Sequence, residues 1–322
     1  MLYPSRVVTL RGRRFLLKVE DSAAAADYRK YEDLRQAIWG FPEDSLAGVR
    51  NLECENVLHE GGSLFLAAYV EDKTGAFRED ADRLVGFSYG FAGLKDKAAG
   101  FRSPDNIWFY SQYTGARPDF QGAGLGVPLK EFQRDVLTEA LGIFTVVCTY
   151  DPLTAVNARR NVGRFGMDAV EYRPAIYGAF GGRLNREDVP SDRLFMSWDL
   201  RREPRRPPLR IDDWLAAGAG LIESEEAVVE GASGPVELEI ARGLRPVALG
   251  DPVLVRIPRD FYAMLLATDV PDPAVRRIPI DWRTYTREAF QSLFAAGYRV
   301  TDFGECGGGS QAAPYYVLRL FP

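Results

Sequence analysis

Cysteine and histidine are scarce in this chain, and that scarcity closes several chemical routes at once. The three cysteines, Cys54, Cys148 and Cys306, are odd in number and far apart. They predict reduced thiols in a cytoplasm rather than a disulfide framework. Zinc sites built from thiol and imidazole need clustered ligands, and the single histidine, His59, has no partner near it in sequence, so no metal centre is expected. A Ser-His-Asp hydrolase would rest on His59 alone, without a G-x-S-x-G elbow. His59 is read as an ordinary loop or helix-end residue. A large charge excess is missing too: a net charge of −5 on 322 residues gives no general attraction to nucleic acid or anionic membrane. An anionic cofactor would need a local binding device. No apolar run is long enough to span a bilayer, and residues 1–18 lack the apolar core and cleavage site of a secretory signal.

What is present is an ordinary globular composition, 46% apolar and 26% charged, on a length that suits one large domain or two moderate ones. Residues 15–19 read as a strand, followed by a helix over about 23–39, capped by Asp21 or Ser22, with Tyr31, Leu34 and Ile38 on one face. Strands are expected at 64–70, 84–94 and 107–114, separated by charged or glycine-containing loops. Then comes a glycine-rich turn and a helix over about 127–141, with Pro128 in its first turn and an apolar stripe of Leu129, Phe132, Val136, Leu137 and Ala140. A core strand at 143–150, a helix at 154–165 and a strand at 194–200 complete this part. Residues 201–210, RREPRRPPLR, read as a linker. Beyond it, strands at 236–240, 253–257 and 315–320 and an amphipathic helix at 284–296 predict a smaller α+β domain. The expected division is 1–200, 201–210 and 211–322.

The turn at 121–126, QGAGLG, carries the clearest chemical signal. Glycines permit positive φ and close approach of a ligand to the backbone. Successive amides then point into one concavity at a helix start, where the first N–H groups lack internal partners and the dipole favours negative charge. Such a cradle binds phosphate without lysine. A P-loop fails because Gly126 is followed by Val127 and Pro128 rather than Lys and Ser or Thr. The G-x-G-x-x-G fingerprint fails in both registers, at Val127 and at Leu129. The pattern Q/R-x-x-G-x-G/A is matched without a gap by Gln121, Gly124 and Gly126.

Here the sequence resembles the GNAT acyltransferase family. Arg117-Pro118-Asp119-Phe120-Gln121-Gly122 is similar to the entry into that family's pyrophosphate loop. The order strand, loop, helix, strand, helix over 107–165 is similar to its core, and Asn157-Ala158 resembles the helix beside the pantetheine arm. The resemblance covers roughly residues 15–200. Within the family the chain resembles a bacterial group with a C-terminal extension, marked by Asp151-Pro152-Leu153 and Pro190-Ser191-Asp192-Arg193-Leu194. It implies a mixed α/β (α+β) fold, a twisted central sheet flanked by helices, and transfer of acetyl or another short acyl group, such as succinyl, from acyl-CoA to a primary amine of a small molecule such as an amino acid. It also implies that Gln121, Gly122, Ala123, Gly124, Leu125 and Gly126 hold the pyrophosphate. The backbone of Tyr113, Thr114 and Gly115 would pair with pantetheine, and Asn157 would hydrogen-bond the same arm.

The family's usual thiolate acid, a tyrosine four residues after the helix alanine, is replaced by Val162. Substitutes must come from strand ends. Asp151 closes the 143–150 strand, where it could act as general base or form an Asx-turn before Pro152; both readings stand. Tyr150, Tyr172 and Tyr177 are candidate acids or packing residues, and Arg159 and Arg160 candidate phosphate contacts. Cys148, in a core strand, is expected to be inert. The C-terminal part is expected to shape the acceptor site or a homodimer interface. A non-catalytic acyl-CoA-binding module is the alternative function.

Overall fold

The computed structural model describes residues 4–22, 25–40, 62–178, 181–203, 209–245, 250–309 and 312–321. Cys54 and His59 lie outside them, as do residues 23–24 of the first expected helix and 204–208 of the expected linker. A large mixed sheet flanked by helices is joined by smaller sheets towards the C-terminus, so the fold is of the mixed α/β (α+β) class. No described helix is long and apolar enough to cross a membrane. The chain divides into two units, residues 1–148 with 199–201, and residues 149–198 with 202–322.

The first unit contains β1 (Ser5–Leu10), β2 (Arg13–Val19), β3 (Ser63–Val70), β4 (Leu84–Leu94), β5 (Ile107–Ala116) and β6 (Thr145–Tyr150, as far as Cys148), in that spatial order. The first four pairings are antiparallel and the last is parallel. Period-two alternation sorts the side chains. Phe65, Ala67, Tyr69, Phe87 and Tyr89 form a buried cluster with Tyr31, Leu34 and Ile38 of α1 (Arg29–Trp39), the face expected from helical spacing. A 3-10 turn at Ala25–Tyr28 precedes α1, so the helix begins later than the sequence suggested. On the opposite face, before α2 (Gly126–Asp135), a Cβ at Gly86 would stand 2.8 Å from the Leu125 side chain and 3.1 Å from the Gly115 carbonyl, so glycine leaves room there for both. Leu129, Phe132, Val136 and Leu137 are buried, and the helix continues as a π turn, Val136–Ala140. Burying each such side chain contributes roughly 1.5–3 kcal/mol.

The second unit starts with the end of β6. It continues through α3 (Ala155–Ala158), extended by the π-helical stretch Arg159–Arg164, to the antiparallel pair β7 (Asp168–Arg173) and β8 (Arg193–Asp199). After α4 (Ile211–Ala216) come a hairpin, β9 (Ile222–Gly231) and β10 (Gly234–Leu244), and then β11 (Val253–Arg256). Helices α5 (Phe261–Ala267), α6 (Pro273–Arg276) and α7 (Ile278–Ala295) follow. Strands β12 (Tyr298–Cys306) and β13 (Ala313–Leu320) complete an antiparallel sheet of order β11-β13-β12. Helix α7 begins several residues before the expected 284, with Pro279 in its first turn, where a missing N–H costs nothing. Its Trp282 donates to the Glu239 carbonyl at 2.8 Å, and Phe290 stacks on Tyr172 and meets Tyr316 edge-on. Residues 149–198 and the C-terminal helix therefore share one core.

Asp302 on β12 is a site of stored electrostatic cost. Burial raises its carboxyl from the usual 3.8 to about 6, with Arg319 opposing. The folded state binds this proton more tightly than the unfolded chain, so the cost is absent below the unfolded value and complete above about 6. Asp302→Asn is expected to stabilise the protein at pH 7.5 by about 1 kcal/mol, after discounting the shift for solvent screening, and by nothing at pH 4. Thermal unfolding at the two pH values measures this; equal effects at both would contradict it.

Candidate functional site

In the first unit, β5 changes character halfway along. Its parallel ladder with β6 consists of Phe109↔Val146 and Tyr110↔Val147. Its antiparallel ladder with β4 runs on to Gly86↔Ala116, but Tyr113 opposes Tyr89 and Ser111 opposes Gly90, leaving Gln112 as the extra residue of a bulge. A bulge bends its strand and increases the twist. This one follows the last parallel pair directly, so among the described residues Tyr113, Thr114 and Gly115 have ladder partners only on β4. The bend is held from below by a buried polar network. Lys130 Nζ donates to Ser111 Oγ at 2.6 Å and to Gln133 Oε1 at 3.0 Å, and Gln133 Nε2 donates to Ser88 Oγ at 3.0 Å. The hydroxyls of Ser88 and Thr114 lie 3.1 and 2.8 Å from the Tyr113 carbonyl.

The chain leaves β5 through Arg117 and a 3-10 turn, Pro118–Phe120. The Phe120 ring is buried against Phe15 and flanked by the Arg13 and Arg117 guanidiniums, 5.2 and 4.9 Å from its centre. Arg117 also binds Asp119 at 2.7 Å, and this hydrogen bond lowers the Asp119 carboxyl below its ordinary value. Gly122 and Gly124 adopt φ of +75° and +89°, the left-handed region that a β-carbon disfavours. Open space lies where a Cβ would stand at either position. The amides of Gln121, Ala123 and Val127 bond back to Pro118, Phe120 and Gly124. Among the described residues, those of Gly122, Gly124, Leu125 and Gly126 donate to no acceptor. Leu125, buried beside Leu129, anchors the turn, and Gln121 Nε2 reaches the Ala116 carbonyl at 3.4 Å.

The remaining candidates fall in the second unit. Asp151 is buried, and its carboxylate is already engaged. Leu153 N–H donates to Oδ1 at 2.9 Å, which is the Asx-turn, while Arg283 of α7 grips both oxygens, Nη1 to Oδ1 at 2.9 Å and Nη2 to Oδ2 at 2.5 Å. Arg193 Nη1 stands 3.4 Å from Oδ2. Tyr150 is buried, its hydroxyl 3.0 Å from that of Tyr316, which donates to the Pro152 carbonyl. Tyr177 is 42% exposed, its hydroxyl 3.3 Å from Thr149 Oγ1 and its ring beneath Arg193. Asn157 donates to Thr154 Oγ1 at 2.9 Å and accepts from Arg160 at 2.8 Å. Arg159 pairs instead with Glu305. Val162 is buried among apolar neighbours and Cys148 is likewise buried.

Several charged residues around these were invisible to sequence reasoning. Asp192 is fully buried, which favours its neutral form. Arg287, at 2.7 and 2.8 Å, and the Ala175 amide nevertheless hold its carboxyl below the ordinary value. Tyr172 donates to the same carboxylate, and burial drives its own hydroxyl pKa upward. Burial, reinforced by the charge of Asp151, also pushes Tyr262 up to about 12, while Arg193, Arg160 and a hydrogen bond with Asn157 oppose the rise. The available signals were Arg283 and Arg287 four residues apart on one helix face, and Asp192-Arg193 within the stretch already singled out.

No family model matches the sequence, and no curated protein matches it. Among solved structures the chain is similar to a ribosomal-protein-S5-alanine acetyltransferase from Vibrio fischeri, with 12% identity, a TM-score of 0.41, and coverage of 61% of this chain and 96% of that one. It is similar to the spermidine/spermine N-acetyltransferase of Vibrio cholerae, with 14% identity, a TM-score of 0.38, and coverage of 58% and 95%. A third is the GNAT family N-acetyltransferase from Escherichia coli in complex with CoA, with 15% identity, a TM-score of 0.32, and coverage of 61% and 83%.

Proposed function

We propose that this chain is an acyl-CoA-dependent N-acyltransferase of the GNAT type, moving acetyl or another short acyl group to a primary amine within a ternary complex. The observation that carries this reading is the set of amides at Gly122, Gly124, Leu125 and Gly126, which donate to no acceptor among the described residues at the start of α2, beside open space at the Cβ positions of Gly122 and Gly124. Such a set suits the pyrophosphate of the coenzyme. The bend in β5 supports it, since Tyr113, Thr114 and Gly115 then offer a strand edge to the amides of a pantetheine arm.

Bound acyl-CoA supplies the activated thioester; the protein must orient it and manage protons. The two oxygens of Asp151 are committed to Arg283, so its part is to fix guanidiniums rather than to take a proton. Tyr150 is spent on Tyr316. Of the three catalytic candidates, Tyr177 has the exposure needed to touch a substrate.

The test is thermal unfolding against a panel of acyl-CoA thioesters. A ligand of the folded state at a hundredfold excess over its Kd stabilises it by about 2.7 kcal/mol. A shift with at least one thioester is expected, followed by steady release of free thiol when an amine is added. No shift with any thioester overturns the reading. A shift without thiol release across an amine panel would leave a coenzyme-binding module, the outcome consistent with the buried Val162 where the family carries its acid.

A further inference from the structure

We propose that Arg193 is a specificity-determining residue that anchors a carboxylate carried by one of the substrates, in a subsite at the end of β6. This deepens the acyltransferase reading and rests on it.

Three guanidiniums, Arg193, Arg283 and Arg287, face two buried carboxylates, Asp151 and Asp192. Arg287 takes Asp192 with two short bonds, and Arg283 takes Asp151 with two. Arg193 is left over. Its nearest carboxylate oxygen is Asp151 Oδ2 at 3.4 Å, an atom that Arg283 already holds at 2.5 Å. Its other contacts are neutral: the Asp192 carbonyl at 2.8 Å, Asn185 Oδ1 at 3.1 Å and the Tyr177 ring at 5.3 Å. Yet the Arg193 side chain is only 10% exposed. A guanidinium buried to that degree without its own counter-charge is costly to keep. A ligand carboxylate would match its planar fork and balance the count.

The surroundings suit such a ligand. Tyr177 lies under the guanidinium with its hydroxyl at Thr149 of β6, and Tyr262 brings a second hydroxyl to Asn157. A hydroxyl can donate to a carboxylate, and the Tyr177 ring covers one face of the guanidinium. Asn185 fixes the far edge of the guanidinium, and the backbone carbonyl of Asp192 fixes its plane. The carboxylate belongs either to the acceptor, as in an α-amino acid, or to the distal end of a dicarboxylic acyl group.

Binding measurements on the full chain separate these sources. In one arm, α-amino acids are compared with their α-carboxamides, with and without acetyl-CoA. In the other, succinyl-CoA is compared with acetyl-CoA. Wild-type protein is expected to prefer the charged member of at least one pair by about tenfold or more, the scale of one hydrogen bond to a charged group. Arg193→Met should abolish that preference, and Arg193→Lys should keep part of it, since the charge survives without the fork. The arm showing the preference identifies the source. Equal binding of charged and neutral members in both arms overturns the proposal, as does a preference that survives Arg193→Met unchanged. Should that variant not fold, the wild-type preference and the Lys variant decide. Should no thioester bind, the acyltransferase reading falls, and the subsite is judged by the same criterion on the amino acid pairs alone.

Discussion

Arg283→Met is expected to destabilise the protein by about 3–5 kcal/mol, the cost of leaving a buried charge without its partner. Arg283 is 1% exposed and holds both oxygens of Asp151, while its guanidinium carbon lies 5.2 Å from the centre of the Phe261 ring. After the substitution Asp151 keeps the Leu153 amide and one Arg193 contact at 3.4 Å in place of the two shorter bonds to Arg283. Urea unfolding measures the loss. The double variant Asp151→Asn with Arg283→Met should be more stable than Arg283→Met alone, because the orphaned charge is gone. A loss below about 1 kcal/mol would show that the pair is not the brace described here. The same reasoning applies to shortening the chain. A protein ending at Arg210 would lack Arg283, Arg287, Phe290 and Tyr316, and would leave Asp151, Asp192 and Tyr172 buried without their partners.

The second large effect falls on binding rather than stability. Gly124→Val is expected to weaken acyl-CoA binding by about a hundredfold or more, equivalent to at least about 2.7 kcal/mol. At φ +89° a β-branched residue is strained by on the order of 1–2 kcal/mol. No atom lies within 4 Å of its Cβ position, so the added methyl groups would occupy open space on the turn proposed to hold the pyrophosphate. Gly75→Val is the matched control, with φ +81° and open space at its own Cβ position. Titration calorimetry on both variants reads the difference. Equal coenzyme affinity in the Gly124 and Gly75 variants would remove the loop from the site.

The polar network under β5 joins the helix after the glycine turn to the bent strand. Lys130, Gln133, Ser88 and Ser111 tie α2 to the bend in β5 through bonds of 2.6–3.0 Å. The helix that follows the glycine turn and the bent strand are thus fixed to one another, which would preorganise the proposed coenzyme site.

Features that depend on near neighbours along the chain were legible before folding. The glycine turn was legible because positive φ at Gly122 and Gly124 and the α2 stripe of Leu129, Phe132, Val136 and Leu137 are set within a few residues. The α1 face and the buried position of Cys148 follow from period and composition in the same way. Strands β9 and β12 were missed because each mixes charged residues into a surface that is only half covered, so alternation is weak. The bulge at Gln112 could not be read either, since it exists only in the register between β4 and β5. Above all, the fate of Asp151 was decided by tertiary structure. Its partner Arg283 lies 132 residues away, and Arg287 lies 95 from Asp192. Period and spacing register which face of an element is apolar, but an ion pair formed across such distances leaves no periodic trace. Only the tertiary contact between α7 and Asp151 shows that Arg283 takes both oxygens of that carboxylate and leaves Arg193 one longer contact at 3.4 Å.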